Sequence, residues 1–481
     1  MCRAVRRPPA RPHPTTPRHT RQHKWSRPVH APFTTPGYPS QDPSGVPHAR
    51  TLTVTRGVAV FLTRSTSSPA RRRVSTVALA AALTAGVAAT GSLTAAPAEA
   101  AGSVDLPALR PAVQHPGAPV PVPFGPDRYV GYISDISSHG FGIYYDVVAG
   151  FNDITRLHRD ILDQNLDTVV RVNTSATPEQ VARAQVDAAA DDGGLLSALS
   201  DAFGADLGQA LRDGLAEGRL PKTQALLDSG WLSRAGGLAS STFAEKAIFN
   251  YDRPFVVAPD RIVRHEDGVH RFYQPESKAF PSGHTNQATW VTTLLAVMLP
   301  ELGPQILARG SESGYNRMVM GVHYPLDVIG GRMTGTAAAA DRWNDPRMRD
   351  ALTQASQELR AELEWRTGRP LAETVAQQAP YRDTATAVRE YTDRMHYDFP
   401  QIGATQQPMI VPQAAPDLLI TRFPELSYEQ RAEVLRRTAI PSGYPLDDQS
   451  PAGSWQRLDL AAAMAADVQV APDGGMTVNG A

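Results

Sequence analysis

The chain has almost no cysteine. Its single copy, Cys2, stands at the start of 481 residues, so the remainder can form neither a disulfide framework nor a thiolate metal site. Long apolar runs are missing too. After Ala101 no stretch reaches the roughly 18 apolar residues that cross a bilayer, and no stable membrane span is expected in the body. Strand-like alternation is scarce, with DTVVRVNTS, residues 167–175, the one fair candidate. A basic surplus is absent from the body as well. The whole chain carries −1, but residues 1–73 hold 14 Lys and Arg against one acid, whereas from Ala101 onward 33 basic residues face 46 acidic ones. An acidic body of this kind argues against a nucleic-acid surface, which needs a basic face.

What is present begins with an export signal. ARRRVSTVALAAALTAGVAATGSLTAAPAEAAGS joins Arg71–Arg73 to a weakly apolar run from Val74 and an Ala98-Glu99-Ala100 cleavage site. Residues 69–100 therefore read as a secretory signal peptide, and the mature protein is expected outside the cell. Residues 1–68, rich in Pro, Arg, Thr and His, cannot bury a core and are expected to be either disordered or untranslated. Residues 101–128 form a Pro-rich linker, 129–370 the main helical domain and 371–481 a helical C-terminal extension.

The helical reading rests on periodicity and punctuation. Leu195, Leu199, Phe203, Leu207, Leu211 and Leu215 recur at every fourth position, the pattern of one face of a long helix. STFAEKAIFNYD is expected to run as a helix from Ser240 until Pro254 stops it. Pro281 and Ser282 open a helix through VTTLLAVML, and Pro325 opens another through LDVIGGRMTGTAAAA, whose small residues permit close approach. Leu352, Ala355, Leu359 and Leu363 line a further helix that Gly368 and Pro370 end, and Ser427 with Gln430 makes a capping box before RAEVLRRTA. The expected fold class is all-α, a helical bundle.

Three short stretches carry chemistry. In KAIFNYDRP, Lys246 and Arg253 lie seven apart, two helical turns, so both are expected on one helix face. In PSGH, Pro281 to His284, a helix N-terminus offers its unpaired N–H groups and the positive end of its dipole beside Ser282, Gly283 and His284, a setting that suits an anion. In NRMVMGVHYPLD, Arg317 precedes His323 by six and Asp327 follows it by four. Arginine forks and a lysine point charge suit a tetrahedral oxyanion. Asp327 is near enough to hold one nitrogen of His323, leaving the other unprotonated as a nucleophile. Singly, each residue has a plain explanation, as a solvated charge, a dipole partner or a cap. The joint spacing is what overturns those explanations.

The pattern K-x6-RP, PSGH, R-x5-H-x3-D resembles the type-2 phosphatidic acid phosphatase / vanadium haloperoxidase superfamily, whose soluble secreted members include the class A non-specific acid phosphatases. The resemblance covers Lys246 to Asp327, with Asn316 where the family usually has Ser before the arginine. It implies that Lys246, Arg253, Arg317, Ser282 and the Gly283 amide bind phosphoryl oxygens. It further implies that His323 attacks phosphorus to form a phosphohistidine, that His284 is the general acid and base, and that Asp327 orients His323. The implied substrate is a small-molecule phosphate ester, with no metal and no other cofactor. The same cage would hold vanadate in a haloperoxidase, and the motifs do not separate the two.

Two further stretches bear on the site. DRIVRHEDGVHRFYQPESK, residues 260–278, either covers the phosphate site and meets the leaving group or is a solvated excursion. IPSGYPLDD, residues 440–448, repeats the Pro-Ser-Gly turn with Tyr444 in the histidine position and reads as a plain turn. His139, His158 and His396 stand alone without ligand spacing.

Overall fold

The computed structural model describes residues 111–190, 194–228, 233–472 and 474–480. The N-terminal arm, the signal segment and the first part of the linker lie outside the described residues. Their regular structure is almost wholly helical, in agreement with the all-α expectation. Helices that position the site are α1 (Arg159–Thr174), α2 (Pro178–Ala189), α3 (Phe243–Phe249), α4 (Gly283–Met298), α5 (Gly303–Val319), α6 (Pro325–Asn344) and α7 (Pro346–Thr367). The only strands among the described residues are Val468–Val470 and Met476–Val478, an antiparallel pair near the C-terminus.

Helix α4 is the centre. Apart from His284 all of its residues are buried, so apolar side chains all round it meet protein and not solvent. Helices α5 and α6 flank it, and glycines set how closely they approach. A Cβ built at Gly331 of α6 would lie 2.5 Å from the Ser282 carbonyl oxygen and 2.9 Å from Thr285 Cβ. One built at Gly310 of α5 would lie 2.2 Å from Thr292 Oγ1. The small residues of the GGRMTGT stretch thus do what their size suggests, bringing the second and third turns of α6 against the start of α4. Gly331→Ala is expected to lower stability by about 1–3 kcal/mol through overpacking, because it pushes Ser282 away from α6. A urea midpoint checks it.

Several helix boundaries differ from the sequence expectation. The leucine row is not one helix: Leu195–Leu199, a 3₁₀ turn Ser200–Phe203 and Ala205–Ala216 share it, with Gly204 at φ 89° between the last two. All six side chains of the row are nonetheless buried. DTVVRVNTS is helical, lying almost entirely within α1, because Val169, Val172 and Asn173 fall on its buried face. Tertiary burial outweighs the strand preference of branched residues there. The helix expected from Ser240 to Pro254 is only α3, ended by Asn250 in the left-handed region at φ 47°. Pro281, Pro325, Gly368 and the Ser427–Gln430 box mark helix ends as expected.

Residues after 370 pack over the outer side of α5 and α6. Arg332 of α6 donates to the carbonyls of Trp455 and Gln456, and Gln305 of α5 donates to the Arg382 carbonyl. Among the described residues no single helix is long and apolar enough to cross a membrane.

Candidate active site

Lys246 and Arg253 reach the site from different elements. Asn250 breaks the helix between them, and Arg253 is the N-cap of a separate short helix, Pro254–Val257. The expected shared helix face is therefore corrected: an aromatic cluster sets their relation instead. Phe151 stacks on Phe280 at 3.7 Å and meets Phe249 and Tyr251 edge-on, while the Ala279 N–H donates to the Tyr251 carbonyl. This cluster ties the chain around Asn250 to the segment entering α4.

Arg253 is held by four hydrogen bonds. Nε donates to the Ser277 carbonyl, Nη2 to Ser277 Oγ, and Nη1 both to the Val322 carbonyl and to His323 Nε2 at 2.8 Å. Lys246 Nζ, half-buried, donates to the Lys278 carbonyl. Arg317 ends α5 and is buried. Gly321, at φ 67°, then turns the chain so that His323 follows, and the Val322 N–H returns to the Arg317 carbonyl. No other residue fits at Gly321, since a Cβ there would lie 2.4 Å from Ile262 Cγ2.

The tautomer of His323 follows from its neighbours. A guanidinium only donates, so Nε2 accepts from Arg253 and carries a lone pair. The ring proton is then on Nδ1, which donates to Asp327 Oδ2 at 3.1 Å; the same oxygen accepts the Tyr324 N–H at the start of α6. Burial lowers the pKa of His323 well below its ordinary value, and the cations Arg253, Lys246 and Arg317 lower it further. Burial raises that of Asp327 to about 7, opposed by the Tyr324 N–H, Lys246 and Arg253.

Ser282 caps α4, accepting from the Thr285 N–H and hydroxyl. Its own N–H donates to the Asp327 carbonyl, a direct backbone link between α4 and α6. Gly283 and His284 follow at the first turn and line a cavity of about 610 Å³ with Lys246, Arg253 and Arg317. His323, fully buried, lies behind Arg253. Structure thus gathers all eight residues picked out in the sequence: five at the cavity wall, and Ser282, His323 and Asp327 directly beneath.

Cations crowd one another here. Burial first, then Arg253 and Arg317, lower the pKa of Lys246; burial and Arg317 bring Arg253 down to about 10. An arrangement of cations that each depress the next is suited to an anion, which would reverse every one of those terms of repulsion. Sulfate keeps its charge from mildly acidic to alkaline pH, so its binding reports on the protein. Sulfate binding is expected to weaken as pH rises above neutrality, because Lys246 loses its proton below the usual lysine range. A dissociation constant measured across pH 6 to 10 checks the sign.

Several positions were not legible beforehand. Ser277 anchors Arg253 with two acceptors, yet carries no motif. Asn316, in the place of the family's serine, turns to Asp187 of α2 at 2.7 Å, where Arg309 is also bound. The 260–278 stretch proves to be part of the cavity wall through Val269, His270, Arg271 and Phe272. His265 is not in that wall: its N–H donates to the Tyr273 hydroxyl. Tyr444 stacks on His396 at 4.7 Å, away from the cavity.

Comparison with known proteins bears on the same stretch. Residues 230–349 match the PAP2 superfamily. The non-specific acid phosphatase of Salmonella typhi is 30% identical over 139 residues, 29% of this chain and 53% of that protein. That of Providencia stuartii is 29% identical over 182 residues, 38% and 67%, and the acid phosphatase of Zymomonas mobilis 32% over 114 residues, 24% and 42%. The chain spans about half the length of the Salmonella relative it matches. The matched residues contain all three motif segments, and those segments converge on one cavity, so residues 230–349 carry a PAP2 superfamily domain.

Proposed function

We propose that the protein is a secreted phosphatase that hydrolyses small phosphate monoesters through a phosphohistidine. The observation that carries this reading is His323 held between Asp327 on Nδ1 and Arg253 on Nε2, beneath a cavity walled by Lys246, Arg317 and His284. Names of the relatives, all acid phosphatases, support it.

In the proposed reaction Lys246, Arg253 and Arg317 take the phosphoryl oxygens, with Ser282 and the Gly283 amide. His323 Nε2 attacks phosphorus, and the bond to the ester oxygen breaks. His284 gives that oxygen its proton, so an alcohol leaves. Asp327 keeps the Nδ1 proton on His323 and steadies the positive charge the ring acquires. His284 then takes a proton from water, whose oxygen attacks phosphorus; phosphate departs and His323 is restored. No metal is called for, since three cations supply the charge stabilisation that dominates such reactions.

Hydrolysis of p-nitrophenyl phosphate by the purified chain tests the reading, and an inactive, folded protein would overturn it. His284→Ala is expected to slow alkyl phosphates by roughly 10²–10⁴-fold, the usual worth of a positioned acid. The loss should be smaller for p-nitrophenyl phosphate, whose phenolate leaves without a proton. Equal losses on both esters would remove His284 from the acid role.

A further inference from the structure

The cavity is much larger than a phosphoryl group needs. At about 610 Å³ it falls in the range, roughly 300–1,000 Å³, of pockets that enclose a whole small molecule. The leaving group must occupy what the phosphate does not, so the outer wall decides which esters fit. Part of that wall is the 260–278 segment, which none of the three motifs includes.

This segment is built into the fold. Asn173 of α1 accepts the Val263 N–H and donates to the Val263 and Val319 carbonyls. The Tyr273 hydroxyl accepts the His265 N–H and donates to the Met320 carbonyl, three residues before His323. Arg264 lies over the Phe255 and Tyr273 rings. Between these anchors, Asp267 accepts the N–H groups of Val269 and His270 and takes His270 Nδ1 at 2.6 Å. The His270 ring also stacks on Phe272 at 5.5 Å. The imidazole is thus fixed on two sides and has Nε2 left for a ligand. Arg271, beside it, is engaged among the described residues only by Glu276, in an exposed pair at 3.0 Å. Such a pair contributes little and exchanges readily for a better anion.

Among the described residues His270 and Arg271 line the cavity, whereas Asp267 and Glu276 do not, and no carboxylate of the described residues lines it. Building on the phosphatase reading, we propose that His270 and Arg271 form a second anion subsite. It selects phosphate monoesters whose leaving group carries a further anionic group, such as a carboxylate. The inner cations hold the phosphate to be transferred and the outer pair holds the other charge.

The test compares 3-phosphoglycerate with glycerol 3-phosphate, two alkyl esters that differ by one carboxylate. The full chain should show roughly tenfold higher kcat/KM for the first, about one charge-assisted contact, and the ratio should shrink as salt screens it. His270→Gln should reduce the ratio, and Arg271→Glu should bring it to one or below. A ratio near one in the parent chain, or one that survives Arg271→Glu, overturns the subsite and leaves the phosphatase reading standing. Failure of the folded parent chain to hydrolyse either ester overturns both together.

Discussion

His323→Ala should lower kcat on p-nitrophenyl phosphate by roughly 10⁴-fold or more, the scale seen when a covalent nucleophile is removed. The reason lies in the geometry of one nitrogen. Nε2 carries the lone pair of the ring, engaged by Arg253 Nη1, because the proton sits on Nδ1 and is donated to Asp327. Burial and three neighbouring cations keep the ring neutral, so the lone pair is available throughout the range in which phosphate esters are dianionic. Truncation removes that lone pair and leaves Arg253 Nη1 with the Val322 carbonyl alone of its two acceptors. Rapid acid-free quenching with labelled substrate should trap phosphate on the parent protein as an acid-labile, alkali-stable adduct and find none on the variant. Addition of free imidazole, which can enter the space left by the ring, should restore part of the rate. Turnover of the variant within tenfold of the parent would remove the nucleophile role.

The second large effect concerns stability. Asp187→Ala is expected to cost about 3–5 kcal/mol, the range for breaking a buried pair and stranding its partner. Asp187 is buried on α2, and both oxygens of its carboxylate take the Arg309 guanidinium, at 2.6 and 3.0 Å. One of them also accepts Asn316 Nδ2. Removing the carboxylate leaves Arg309 buried, with Asp201 its nearest remaining acid at 3.0 Å. A urea midpoint should fall in proportion, with little change in the slope. Because Asn316 precedes Arg317, turnover per folded molecule should fall too. Replacing Arg309 by Met in the same chain should recover part of the stability, and no recovery would mean that the cost is not the stranded charge.

Much of the site could be read in advance because its signals are local. A Pro-Ser-Gly turn announces a helix start with or without its neighbours, and the four-residue step from His323 to Asp327 spans one turn at the head of α6, where a capping carboxylate belongs. What could not be read depended on distant partners. Nothing near Asn250 announces the left-handed residue that ends α3, and the seven-residue interval from Lys246 to Arg253 fits an unbroken helix equally well. The aromatic cluster around Phe151 and Phe280 joins residues more than a hundred positions apart. Ser277 earns its place only by meeting Arg253 in space. The leucine row was correct about burial and wrong about continuity, since a four-residue step is satisfied by short helices laid end to end. Residues 371–480 showed their helices but not their purpose, which in the structure is to cover α5 and α6.

The bond from the Ser282 N–H to the Asp327 carbonyl couples the segment that carries His284 to the one that carries His323 through main chain alone. With Gly331 lodged against Ser282 in the same crossing, neither helix can slide along the other without breaking that bond or forcing a collision. The floor of the cavity accordingly behaves as a single casting, to which the 260–278 segment adds the outer wall.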